Sequence, residues 1–147
     1  MKHYNHKAAR SDAQLKKMQE LSEEGICAFC PENIDRAEGK VLFFTDHWMV
    51  KENGFPYEHT KLHLLLVPKV HAATVSALPK DSQAEFLSVV AQCEKLYKLD
   101  SYALGMRSGD MRRNGGSVEH IHAHLIVGDT DDPKHEPVRF KMSNRPD

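Results

Sequence analysis

A chain of 147 residues with 20 basic and 21 acidic side chains has a net charge of −1, which argues against recognition of nucleic acid or a membrane surface by bulk charge. Small anionic ligands stay open, because they answer to local charge. With 40% hydrophobic and 28% charged residues, the chain can form one domain that buries about two thirds of its unfolded surface. Apolar runs such as Leu64-Leu65-Leu66-Val67 are too short to span a bilayer, and Met1–His6 lacks the apolar core of a signal peptide, so a cytoplasmic location is expected.

The elements follow in chain order. Ser11-Asp-Ala-Gln14 has the form of a capping box, with Gln14 reaching back to the cap. Leu15, Met18 and Leu21 follow at helical spacing and Gly25 supplies a stop, so a helix is predicted over about residues 12–24. Its apolar stripe is narrow, which suits a helix laid on a surface. Cys27-Ala-Phe-Cys30 comes next, then a polar loop or short helical turn over 31–39. Segments 40–45 and 47–51 are rich in β-branched and aromatic residues and read as two strands of a meander. Asn53-Gly54-Phe55-Pro56 is a turn, and 61–67 is a third strand closed by Pro68. Asp81 or Ser82 opens a second helix over about 81–98, with Phe86, Val89, Val90, Cys93, Leu96 and Tyr97 on one apolar face. Residues 102–107 form a fourth strand, 108–116 a polar glycine-bearing loop, and 118–127 a fifth strand. In the charged tail, 137–142 is a candidate edge strand. Strands interrupted by one long helix, without regular βαβ alternation, indicate an α+β fold with a mainly antiparallel sheet.

The fifth strand carries the most informative pattern. His120, His122 and His124 alternate with Ile121, Ala123 and Leu125 behind Gly115-Gly116-Ser117. On a strand the three imidazoles would stand in a row about 6.6 Å apart; on a helix they would fan out. A solvated strand face has no reason to prefer imidazole to lysine or threonine. Imidazole is nucleophilic and changes protonation near neutral pH. Backbone N–H groups of a glycine turn and the Ser117 hydroxyl can hold an anion. A nucleophile beside an anion cradle suggests attack on phosphorus.

Cys27-x-x-Cys30 has the spacing of a metal knuckle, but the next histidines are His47, His59, His63 and His71, so finger spacing is absent. Either the cysteines only flank a buried Phe29, or distant histidines complete a site. Three cysteines, an odd count, argue against a disulfide framework, and Cys93 falls within the apolar face of the second helix.

His120-Ile-His122-Ala-His124-Leu-Ile, with the preceding Gly-Gly-Ser-Val, resembles the signature of the histidine triad (HIT) family of nucleotide hydrolases and nucleotidyl transferases. The resemblance covers about residues 26–128; residues 1–25 form an N-terminal helical extension and 129–147 a C-terminal tail. It implies a five-stranded antiparallel sheet with a packed helix. It implies cleavage at the α-phosphorus of dinucleoside polyphosphates or nucleoside phosphoramidates, with His122 as nucleophile forming a nucleotidyl-histidine. His124, Ser117 and the backbone of Gly115 and Gly116 would hold the phosphate oxygens, and His120 would orient the nucleophile. It also implies a zinc site of Cys27, Cys30, His71 (in Val67-Pro-Lys-Val-His71) and His120, and a homodimer through the long helix and an adjoining strand. His63 matches a family histidine near the α-phosphate, or is a satisfied strand histidine. Asn53 sits at the place of a ribose-binding acid, or is a turn asparagine. Gly116 stands where better-known branches have glutamine. Arg112 and Arg113 could meet further phosphates, or form a solvated basic pair. The competing function is a non-catalytic, zinc-stabilised nucleotide-binding module. A role on DNA ends would call for a basic surface or an added nucleic-acid module, and neither is visible in the sequence.

Overall fold

The computed structural model describes residues 2–145. Five strands, β1 (Val41–Phe44), β2 (Trp48–Glu52), β3 (Thr60–Pro68), β4 (Ala103–Arg107) and β5 (His122–Gly128), form one antiparallel sheet in the order β1-β2-β3-β5-β4. Among the described residues three α-helices accompany it, α1 (Asp12–Glu24), α2 (Lys80–Tyr97) and the one-turn α3 (Met111–Asn114), beside short 3-10 turns. This is the α+β arrangement expected.

Strand alternation divides the core into two layers. Trp48, Val50, Leu64, Leu66, Ala123 and Leu125 point to one face, where Val89, Val90 and Cys93 of α2 cover them. Met49, Leu65 and Val67 point to the other, against Met18 and Leu21 of α1, Tyr4, and the Cys27–Phe29 knuckle. Each fully buried aliphatic side chain here contributes about 2 kcal/mol. His122 and His124 lie on the α1 side. The sequence thus supplies an α2 face that is purely structural and an opposite face on which polar groups are buried.

Several expectations are corrected. The fifth strand begins at His122 and not at 118, because Ile121 donates its N–H to Ala72 O (2.8 Å) and the β4 ladder starts at Arg107↔His122. His120 therefore precedes the strand. Segment 137–142 forms no strand and joins no ladder: Phe140 lies over Gly105 of β4, where a Cβ would come within 2.7 Å of its ring, and Arg107 holds Lys141 O with its side chain. The expected loop 108–116 contains α3, capped by Asp110, whose side chain accepts from the Arg112 N–H. Helix α2 starts at Lys80 behind Pro79, ahead of the expected Asp81 or Ser82, because proline suits a helix entrance that needs no N–H. Leu96 of α2 is exposed, on the flank of the stripe that Val89, Val90 and Cys93 bury. At α1, Ser11 Oγ accepts from the Gln14 N–H (3.1 Å), but Gln14 Oε1 takes the N–H of Arg10, one residue further back than the usual box.

Candidate active site

Across the α1 face, register brings Lys51 opposite Leu65, Leu65 opposite His124, and Arg107 opposite His122. The rings of His122 and His124 are 5.0 Å apart. His122 directs Nδ1 at the carbonyl of His120 (2.8 Å), so that nitrogen carries the proton and donates. Its Nε2 keeps a lone pair and has no hydrogen-bond partner among the described residues. Burial, foremost, lowers its pKa to about 4 against the opposing bond to His120, and the charges of Arg107 and Lys51 add lesser effects in the same direction as burial. The ring is therefore neutral at pH 7.

His63 joins the pair. Tyr57 donates its N–H to Nδ1 of His63 (3.1 Å), so His63 donates from Nε2 to Nδ1 of His124 (2.8 Å). The hydrogen of His124 then sits on Nε2. Burial pushes His63 down to about 3 and holds His124 well below its usual value, with neighbouring cations adding to both. Next to His124 Nε2, at 3.4 Å, lies Nη1 of Arg107, which donates to the Tyr57 hydroxyl (2.9 Å). Two donors meet there with no acceptor between them. An anionic oxygen would satisfy both.

The Ser117 hydroxyl lines the same cavity as His122 and His124, and it makes no hydrogen bond among the described residues. The glycine cradle is not open. Gly115 donates its N–H to Met111 O (2.9 Å) and Gly116 to Asn114 Oδ1 (2.8 Å), so neither N–H faces an anion. Gly115, at φ +78, ends α3 and lets the tail approach. Asn53 lines the cavity while its Oδ1 accepts from the Phe55 N–H (2.9 Å), the geometry of a turn asparagine. Arg112 and Arg113 line a different cleft, and Arg112 pairs with Asp110 (2.8 Å).

Cys27, Cys30, His71 and His120 come together behind the histidine pair, their ligand atoms within 4.8 Å of one another. The Cys27 Sγ–His120 Nδ1, Cys30 Sγ–His71 Nδ1 and Cys30 Sγ–His120 Nδ1 distances are 3.6, 3.3 and 3.7 Å. A tetrahedral zinc with bonds of about 2.3 Å to sulfur and 2.0–2.1 Å to nitrogen requires S···N separations of about 3.6 Å. The outward nitrogens are also engaged: Nε2 of His120 donates to Pro68 O (2.8 Å), and Nε2 of His71 lies 3.7 Å from Glu119 Oε1. These residues fit a metal.

The HIT domain family model matches residues 35–131. The chain belongs to the HIT domain family. An adenosine 5′-monophosphoramidase of Candida albicans is 34% identical over 70 residues, 44% of this chain and 46% of that protein. The chain thus spans under half of that curated relative. An uncharacterised HIT-like protein of Methanocaldococcus jannaschii is 28% identical over 69% of this chain and 78% of its own length. Among solved structures, a histidine triad nucleotide-binding protein from Candida albicans superposes with a TM-score of 0.58 at 26% identity, over 68% of this chain and 73% of that one. A zinc-bound histidine triad protein from Mycobacterium smegmatis, at 20% identity and a TM-score of 0.55 over 82% and 84%, has the same fold.

The HIT motif made His120, His122 and His124 visible. It did not point to Arg10, Lys51, Tyr57, Arg107 or Phe140, all of which surround the HIT histidines. Arg107 closes a strand recognisable in the sequence, but only strand register places it opposite His122.

Proposed function

We propose that this chain is a HIT nucleotide hydrolase or nucleotidyl transferase that cleaves its substrate at the α-phosphorus through His122. One observation carries the reading: the Nδ1–H···O=C bond to His120 leaves a lone pair on Nε2 of a neutral His122, in the cavity that Ser117, His124 and Arg107 also line. Nε2 attacks the α-phosphorus, the bond to the leaving group breaks, and its electron pair departs on the leaving atom. Water or another acceptor then attacks the phosphorus of the nucleotidyl-histidine, giving up a proton, and the pair returns to Nε2. His124 Nε2–H and the Ser117 hydroxyl hold the non-bridging oxygens as their charge grows. His63 fixes the tautomer of His124, and His120 that of His122. Asn53, which lines the same cavity, is assigned to the sugar.

Cys27, Cys30, His71 and His120 would hold zinc, the metal bound by the Mycobacterium smegmatis protein of the same fold. When bound, its role is structural: a closed four-ligand shell fixes the knuckle and, through His120, the carbonyl that orients His122. Pairing of two copies through α2 and β4 is supported by the exposed Leu87, Leu96 and Leu104, and a monomer in light scattering at working concentration would refute it.

The test is nucleoside monophosphate release from adenosine and guanosine phosphoramidates, the former suggested by the Candida relative, and from dinucleoside polyphosphates. Wild type and His122→Ala are compared. Turnover lost in the variant with nucleotide binding retained supports the reading. Equal rates remove His122 from the nucleophile's role, and binding without turnover in wild type favours a binding module.

A further inference from the structure

Residues 1–34 and 132–147 lie outside the matched HIT domain, yet both ends of the chain converge on its histidines. From the N-terminal side, Arg10 places its guanidinium 4.5 Å over the Tyr57 ring and donates to Phe55 O (2.6 Å). From the tail, Phe140 packs edge-on against His124 (5.3 Å) and takes the Arg107 guanidinium on its face (3.9 Å). Arg107 donates from Nε and Nη2 to Lys141 O, at 2.9 and 2.7 Å.

None of Arg10, Arg107 and Lys141 makes an ion pair among the described residues. The histidine cavity is walled by six cationic side chains, Arg10, Lys17, Lys51, Arg107, Arg139 and Lys141, against one carboxylate, Glu38, which lies 3.7 Å from Lys17. That imbalance stands within a chain of net charge −1. Arg10, Arg107 and Lys141 are thus like charges gathered without carboxylate partners, which destabilises the unliganded fold and calls for a polyanion. Burial, with Arg107 and Arg10 as further causes, lowers the pKa of Lys141.

We propose that Arg10, Arg107 and Lys141 form a second anion subsite beside His124 that holds the phosphate chain of the leaving group. The substrate class is then a nucleoside polyphosphate ester, such as a dinucleoside polyphosphate, in preference to a phosphoramidate. This rests on the hydrolase reading above. The subsite is assembled from the extension, the end of β4 and the tail. Its chemistry suits an oxygen leaving group. As Nε2 of His122 bonds to the α-phosphorus, the P–O bond breaks and its electron pair stays on the bridging oxygen. Fixed guanidinium groups can neutralise that charge with no proton transfer. An amine leaving group would need a proton delivered to nitrogen.

The experiment titrates AMP and diadenosine tetraphosphate into a His122→Ala background, in which no substrate is consumed. Arg10→Gln, Lys141→Gln and Arg10→Lys are then added singly, with circular dichroism as a check on folding. The tetraphosphate is expected to bind at least about tenfold tighter than AMP, with a steeper loss on adding salt. Arg10→Gln and Lys141→Gln each weaken the tetraphosphate by about tenfold more than AMP, and Arg10→Lys restores part of the difference. Equal affinity for the two ligands, or equal weakening of both, overturns the subsite. The wild-type turnover panel separates the two proposals. Selective tetraphosphate binding without turnover of any substrate overturns the hydrolase reading alone. Phosphoramidate turnover without selective binding overturns the subsite alone, and failure to bind either ligand overturns both.

Discussion

Lys51 offers the most direct test of how the α1 face is built. Its side chain is fully buried and its Nζ donates to the carbonyls of Glu38 and Glu52, with no carboxylate in contact. Burial lowers its pKa from 10.5 to about 8, and the charges of Glu38 and Glu52 offset only part of that shift. The folded pKa lies below the unfolded one, so between these values the unfolded chain binds more protons and stability rises with pH. At about pH 7 the penalty of holding the buried charge is about 3 kcal/mol, and near pH 10 it falls below about 1 kcal/mol. Lys51→Met keeps the apolar stem and removes the charge. It also leaves two carbonyls short of a donor, a cost of about 1–3 kcal/mol that does not vary with pH. The informative quantity is therefore the difference between the two proteins as pH changes. Urea denaturation of both across this range is expected to show wild type gaining about 2–3 kcal/mol on the variant from about pH 7 to about pH 10. Titration of tyrosines and cysteines is common to both proteins and cancels. A difference constant to within about 0.5 kcal/mol would refute the reading, placing Lys51 in contact with water or a stronger counter-charge.

The metal cluster predicts about one zinc per chain by elemental analysis, lost in Cys27→Ser, and chelation should lower stability by about 3 kcal/mol at zinc levels a hundredfold above its dissociation constant. Unchanged stability after verified metal removal would contradict a structural role. Leu125→Ala, at a fully buried position facing α2, should cost about 3 kcal/mol in denaturant midpoint analysis; a loss under about 1 kcal/mol would mean that α2 collapses into the space. Ser11→Ala removes the α1 cap that accepts from the Gln14 N–H and should cost about 1 kcal/mol. Because Gln14 also holds the backbone of Arg10, the same change should weaken polyphosphate binding more than AMP binding.

Much of this architecture was legible in the sequence. The spacing of Leu15, Met18 and Leu21, the Val89–Val90–Cys93 stripe and the alternation around His122 and His124 each report which face of an element turns inward. That information is local, because helical and strand periods are properties of consecutive residues. The family motif added the grouping of Cys27, Cys30, His71 and His120, which spacing alone left open.

What tertiary structure decided is of another kind. His120 leaves the strand that its alternation suggested because its ring faces the two cysteines and Ile121 bonds to Ala72 O. Residues 137–142 forgo a ladder because Gly105 makes room for the Phe140 ring. Arg10, Arg107 and Lys141 come from three separate segments, the outer two more than a hundred residues apart, and no local pattern links them. Their convergence depends on strand register, on the side of the sheet that α1 covers, and on the path of the tail. The sequence by itself determined most of the elements, their buried faces and the grouping of His120, His122 and His124. Only the closing of distant segments over one face of the sheet decided the charge that surrounds it, because electrostatic proximity is set in space and not along the chain.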